Sequence, residues 1–307
     1  MKIEYHADFL EAAIDCCLSG RRKGLPALMI SRFHVERERV YRLSDVEGRE
    51  DAFQQLHLKW FREWGLEDTL KRLSDGLDRF APLLRALTYR KAHGRKDEGA
   101  ELYADAQGIR RAVVALRGER FEDEKDLAVF MRHELSHVCD MLDPDFGYQP
   151  ELVLPGFTVT QQRLAMERYR VLWDAAIDGR LTRSGHGTGT TREKYQALVD
   201  QAFSFWPQER RTDMLSRVWD GRGVTHAMLA EQASDPRARD AHGPAPGQPC
   251  PLCGMPTFDW APLDSLNPVV ELIHSEFRHW MPEQGACGRC VEVYGAALAL
   301  KKDSKGW

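Results

Sequence analysis

FEDEKDLAVFMRHELSHVCDML, residues 121–142, reads as one amphipathic helix. Acids crowd its first turn, where they complement the partial positive charge of unpaired backbone N–H groups. Leu127, Met131, Leu135, Val138 and Leu142 recur every three or four positions and form an apolar stripe. At the border of that stripe stands His133-Glu134-Leu135-Ser136-His137. Histidines four apart share one helical face, so both imidazoles can reach a single metal ion, and Glu134 projects beside them as a base for water activated there. The residues therefore suggest a catalytic Zn2+ held by His133 and His137, with Glu134 as the catalytic residue.

Upstream, the period changes to two in ELYADA (101–106) and IRRAVVAL (109–116), separated by Gln107-Gly108, which predicts a β-hairpin. Before it, residues 1–96 read as a helical region. The apolar spacing of three and four in Phe9-Leu10-Ala13-Ile14-Cys17, in Leu56-Trp60-Trp64, and from Leu70 to Tyr89 with an interruption at Pro82 supports this. Its aromatics and His6, His34, His57 and His93 are packing or surface residues. Downstream, a helix from about Thr160 to Asp178 is expected to end at Gly179, and further helices fill Arg192 to about Ala230. The Gly/Thr-rich stretch with His186 reads as a loop, since it lacks the Gly-Lys-Ser/Thr ending of a phosphate loop.

The strand hairpin followed by an H-E-x-x-H helix resembles the zincin metallopeptidases, over roughly residues 100–180. That resemblance implies a peptidase acting on a peptide or protein substrate, with Ile109–Leu116 as the edge strand that pairs with it. Catalytic zinc takes three protein ligands and leaves one position open. In gluzincins of the thermolysin type the third comes from a later helix, as an acid followed four residues on by an Asp that orients a histidine. Asp174 and Asp178 have that spacing, with Asp174 as the ligand. Glu167, two turns earlier on the same face, and Asp143, at the position that metzincins use, are the alternatives. Tyr148, His226 and Arg170 are candidates for stabilising a developing oxyanion, and nothing in the sequence ranks them.

Residues 234–249 are rich in Pro, Gly and Ala and read as a linker to a module at 250–307. Cys250/Cys253 and Cys287/Cys290 are two C-x-x-C knuckles. Two such knuckles close a four-sulfur structural zinc site with no open position, a redox dithiol being the alternative. About 50 residues cannot stabilise themselves by burial alone, so the ion would supply much of the folding free energy. The module resembles zinc ribbons. Its mixed charge, with Asp259, Asp264, Glu271, Glu276 and Glu283 against Arg278 and Arg289, suits a protein partner at least as well as nucleic acid. Cys16, Cys17 and Cys139 read as small buried hydrophobes.

Composition bounds the rest. Hydrophobic residues are 43% of the 307 and charged residues 29%, which excludes collagen, coiled-coil and disordered classes. A net charge of -4 gives no global basic field for nucleic acid. No stretch suits a membrane span and the first residues carry acids where a signal peptide is apolar, so a cytoplasmic protein is expected. The reading is an α+β, predominantly helical chain: a helical region (1–96), a zincin-like domain with a short hairpin (97–233), the linker and the zinc module. Its rivals are a DNA-associated protease resembling SprT-like proteins and a non-catalytic metal-binding adaptor. The former lacks the histidine after His137 that its family uses as third ligand.

Overall fold

A computed structural model describes residues 1–20, 24–150, 159–234, 247–261, 263 and 268–303, without the side chains of 47 and 301–303. Most of the expected linker and part of the loop after residue 142 lie outside the described residues. The chain divides into two units, Met1–Pro236 and Arg237–Trp307. It is α+β, 61% helical with one four-stranded sheet. No described helix is long and apolar enough to cross a membrane.

In the first unit, β1 (Lys2–Tyr5) leads through α1 (Ala7–Leu18), α2 (Ala27–Tyr41), α3 (Val46–Glu63) and α4 (Leu66–Ser74) to β2 (Leu84–Lys91). The hairpin follows as β3 (Gly99–Ala104) and β4 (Arg110–Leu116), then α5 (Glu124–Leu142). The sheet order is β1-β2-β4-β3, parallel except for β3 against β4. The periodicity that predicted helix through Tyr89 fails at Pro82. Beyond it, Leu84, Ala86, Leu87 and Tyr89 are buried in a strand flanked on both sides, a long-range pairing that local spacing does not report.

A second correction concerns the edge strand, for which Ile109–Leu116 was the candidate. β4 lies between β2 and β3, and Ala112, Val114, Ala115 and Leu116 are buried. The edge strand beside β4 is β3, whose Glu101, Tyr103 and Ala104 are exposed, β1 being the edge on the far side of the sheet. The residues account for this: RRAVVAL is a nearly continuous apolar run, as a covered strand requires, whereas ELYA alternates with polar groups.

The side of α5 that carries Leu127, Met131, Leu135, Val138 and Leu142 closes a core with the sheet and α1–α4. A second core forms among α6 (Val159–Arg183), α7 (Arg192–Ala202), α8 (Gln208–Asp220) and α9 (His226–Ser234), and Met141 of α5 packs against both. Gly179 does not end α6, as expected from its residue type. The helix runs on to Arg183, and Gly185, at φ +76°, forms the left-handed cap. Gly179 is required instead by close packing, because a Cβ there would lie 2.2 Å from the carbonyl oxygen of Trp219 on α8.

In the second unit, α10 (Pro268–Glu276) lies in the chain between the two cysteine pairs. α11 (Gly288–Asp303) begins inside the second cysteine pair and was not foreseen. Val269, Val270, Ile273, Trp280 and Ala286 form its small core.

Gly179→Ala tests the helix contact. In an unconstrained helix the exchange gains about 1 kcal/mol; here overpacking should reverse the sign and cost roughly 1–3 kcal/mol in a denaturant titration.

Candidate metal centre

Two helices build the site. α5 supplies His133, Glu134 and His137 from one face, and α6 supplies Asp174 and Asp178, one turn apart. His133 Nε2 and His137 Nε2 are 3.3 Å apart, and Asp174 Oδ1 lies 3.1 Å from His137 Nε2 and 3.8 Å from His133 Nε2. A tetrahedral ion with bonds of 2.0–2.1 Å sets its donor atoms about 3.3 Å apart, so the three atoms fit around one cation. All lie within 4.8 Å of one another. The Asp174 side chain is still 40% exposed, so the centre is reachable from solvent.

The histidine orientation is set from behind. Asp178, 1% exposed, accepts the His133 Nδ1 proton at 2.7 Å and the Tyr195 hydroxyl proton at 2.9 Å on its other oxygen. This fixes the tautomer that leaves His133 Nε2 free as a ligand. Burial pulls His133 towards the neutral form, but the neighbouring carboxylates of Asp174 and Asp178 outweigh it and push its pKa up to about 10. Burial likewise opposes the charge on Asp174, and the two histidines overcome it, lowering the carboxyl to about 2.

Glu134 stands half-buried beside the triad, its Oε2 accepting the Ala100 N–H at 3.0 Å. Burial raises its pKa, against the pull of His137, His133 and that N–H. The contact needs β3 close to α5: a Cβ on Gly99 would lie 3.6 Å from the same carboxylate oxygen. A cleft of about 750 Å3 runs along β3 and over these groups, lined also by Leu102, Tyr148, Arg170 and His226. The three oxyanion candidates thus all face one space. Of the alternative ligands, Glu167 pairs with Arg163 at 3.2 Å with its side chain 55% exposed, and Asp143 ends α5, where it accepts the Asp145 N–H. Neither approaches the histidines. His186 is exposed on the loop after α6. Tyr195, which completes the Asp178 contact, went unnoticed in the sequence because it is one residue of an ordinary amphipathic helix.

In the second unit, Cys250, Cys253, Cys287 and Cys290 bring their sulfurs within 4.8 Å of one another. Cys250–Cys290 is 4.0 Å and Cys253–Cys287 3.9 Å. Bonds of about 2.3 Å to a tetrahedral ion place sulfurs about 3.8 Å apart, so this cluster can hold a metal ion. Gly254, at φ +72°, turns the first knuckle, and the second lies at the start of α11. Burial raises the Cys250 thiol, but N–H groups of Cys287, Cys253 and Leu252 bring it down to about 7. Burial and the neighbouring sulfurs push the Cys290 thiol up.

No family model matches the chain, and no curated relative or solved structure matches it either.

The raised His133 pKa has a measurable consequence. A cation entering the triad must displace the His133 Nε2 proton on the Asp174 side, while Asp178 keeps the Nδ1 proton, so each ion bound releases a proton below pH 10. Apparent affinity for Zn2+ should therefore rise about tenfold per pH unit between pH 6 and 9, measured by chelator competition. A flat profile would contradict the raised His133 pKa.

Proposed function

We propose that the first unit is a zinc-dependent hydrolase of amide bonds, a peptidase of the zincin type. The observation that carries this reading is the convergence of His133, His137 and Asp174 on one tetrahedral position, with Glu134 beside them at the floor of the cleft. Zinc suits a mixed imidazole and carboxylate donor set, and when bound it acidifies water and polarises a carbonyl.

The chain's own groups supply the rest. Glu134, its pKa raised by burial, takes the proton of the attacking water and returns it to the departing amine. The Ala100 N–H holds that carboxylate against β3. Because this N–H points away from β4, strand alternation turns the backbone of Leu102 outward too, beside the cleft. An extended peptide added to that edge is placed alongside Glu134. Tyr148, Arg170 and His226 offer donors across the cleft.

In the same reading the four-cysteine cluster holds a structural zinc ion, since four thiolates close the coordination shell. The module around it recruits a protein partner or substrate.

Glu134→Gln decides the catalytic assignment. It should bind zinc like the wild type, and the wild type alone should cleave a mixed peptide library. Metal analysis should give two zinc ions per chain, one in His133→Ala and one in the Cys250→Ser/Cys253→Ser variant. Equal cleavage by wild type and Glu134→Gln, or a wild type with metal only on the cysteines, would sink the proposal.

A further inference from the structure

The two histidines of the candidate centre are held by different means. His133 has the usual support, a carboxylate on its second ring nitrogen. Among the described residues the carboxylate that His137 meets is Asp174, through Nε2 on the ligand side. The His137 ring is met by Trp173, edge to face, with centroids 4.3 Å apart and an interplanar angle of 87°. Trp173 directly precedes Asp174 on α6 and is 8% exposed. Phe146 and Tyr148 stack on the indole at 5.4 and 5.6 Å.

The indole is itself aimed by a polar contact. Its N–H donates to Asp140 Oδ2 at 2.8 Å. Asp140 is 4% exposed, and Arg180 donates to both its oxygens at 2.7 Å. His133, His137 and Asp140 follow one another at spacings of four and three on α5, and Trp173 and Arg180 are seven apart on α6. Each set therefore lies along one helical face. Arg180 reaches Asp140 only because α6 continues through Gly179.

Only the Asp140 side of this ion pair is buried, the Arg180 side chain being 44% exposed, so the pair alone is poor evidence of a stabilising role. What an apolar pair cannot supply is a directional acceptor for an indole N–H. The terminal torsion of a histidine is broad, so a rigid ring packed against the imidazole keeps Nε2 on target. We propose that Asp140 and Arg180 clamp the indole of Trp173, and that the indole holds His137 in its metal-binding orientation. Asp140, Trp173 and Arg180 are positioning residues for this ligand. The inference rests on the metal-centre reading above.

The test uses the full chain titrated with Co2+ in place of zinc. Thiolate charge-transfer absorption follows the four-cysteine cluster, and the visible ligand-field bands follow the histidine centre. Trp173→Phe and Asp140→Leu should weaken Co2+ at the histidine centre about 10- to 100-fold and alter its ligand-field bands, leaving the thiolate signal unchanged. Asp140→Asn, which keeps an acceptor for the indole, should bind close to wild type. Unchanged affinity in both weakened variants, or losses matching only the unfolded fraction in a thermal melt, would overturn the clamp. Asp140→Leu and Asp140→Asn, which differ in that acceptor, decide the question even if Trp173→Phe does not fold. Wild type lacking Co2+ at the histidine centre would instead remove the metal-centre reading itself.

Discussion

A carboxyl group that is 1% exposed between two helices is costly to bury unless both oxygens find partners, and Asp178 finds them in His133 and Tyr195. Leaving one oxygen of such a group unsatisfied costs roughly 1–3 kcal/mol, comparable to a sizeable part of a domain's net stability. That requirement ties α5 to α6 and α6 to α7. Once these helices are in register, His133 can present only Nε2 towards Asp174, and His137, one turn later, presents its own Nε2 beside it. The ligand geometry thus follows from a burial constraint behind the site.

The same arrangement explains why the donors stay together without relying on a rigid loop. Asp174 and His133 stabilise each other's charged forms strongly enough to overcome burial, lowering one pKa and raising the other. The same three donor atoms lie close enough together that they could accept a metal ion with little rearrangement. On the other side of α5, the sheet brings its edge strand against Glu134. The Ala100 N–H fixes the carboxylate without quenching it, because burial still raises its pKa.

The second unit solves a different problem. Its core is small, and the cysteine cluster sits on a turn and a helix N-terminus that direct N–H groups towards sulfur. The dipole and the turn lower the cost of one thiolate, but crowding raises the cost of the others. A divalent cation shared by the four sulfurs would relieve that conflict by offsetting half of their charge, and would couple folding to metal uptake.

Much of the centre was legible as local pattern. The helical period places His133, Glu134 and His137 on one face, the Asp174/Asp178 spacing is one helical turn, and each cysteine pair is a self-contained knuckle. The hairpin was legible too, from its alternation and its Gln-Gly turn. Other features were decided by contacts distant in the chain. Leu84–Lys91 became a strand because β1 and β4 flank it, and β3 became the edge because β4 is covered on both sides. Gly179 continues its helix because the Trp219 carbonyl leaves room for nothing larger. Tyr195, Asp140 and Arg180 acquired their roles only when three helices met. Short-range periodicity determines which face of a helix a residue occupies; what that face meets depends on packing, and packing joins residues that no spacing rule connects.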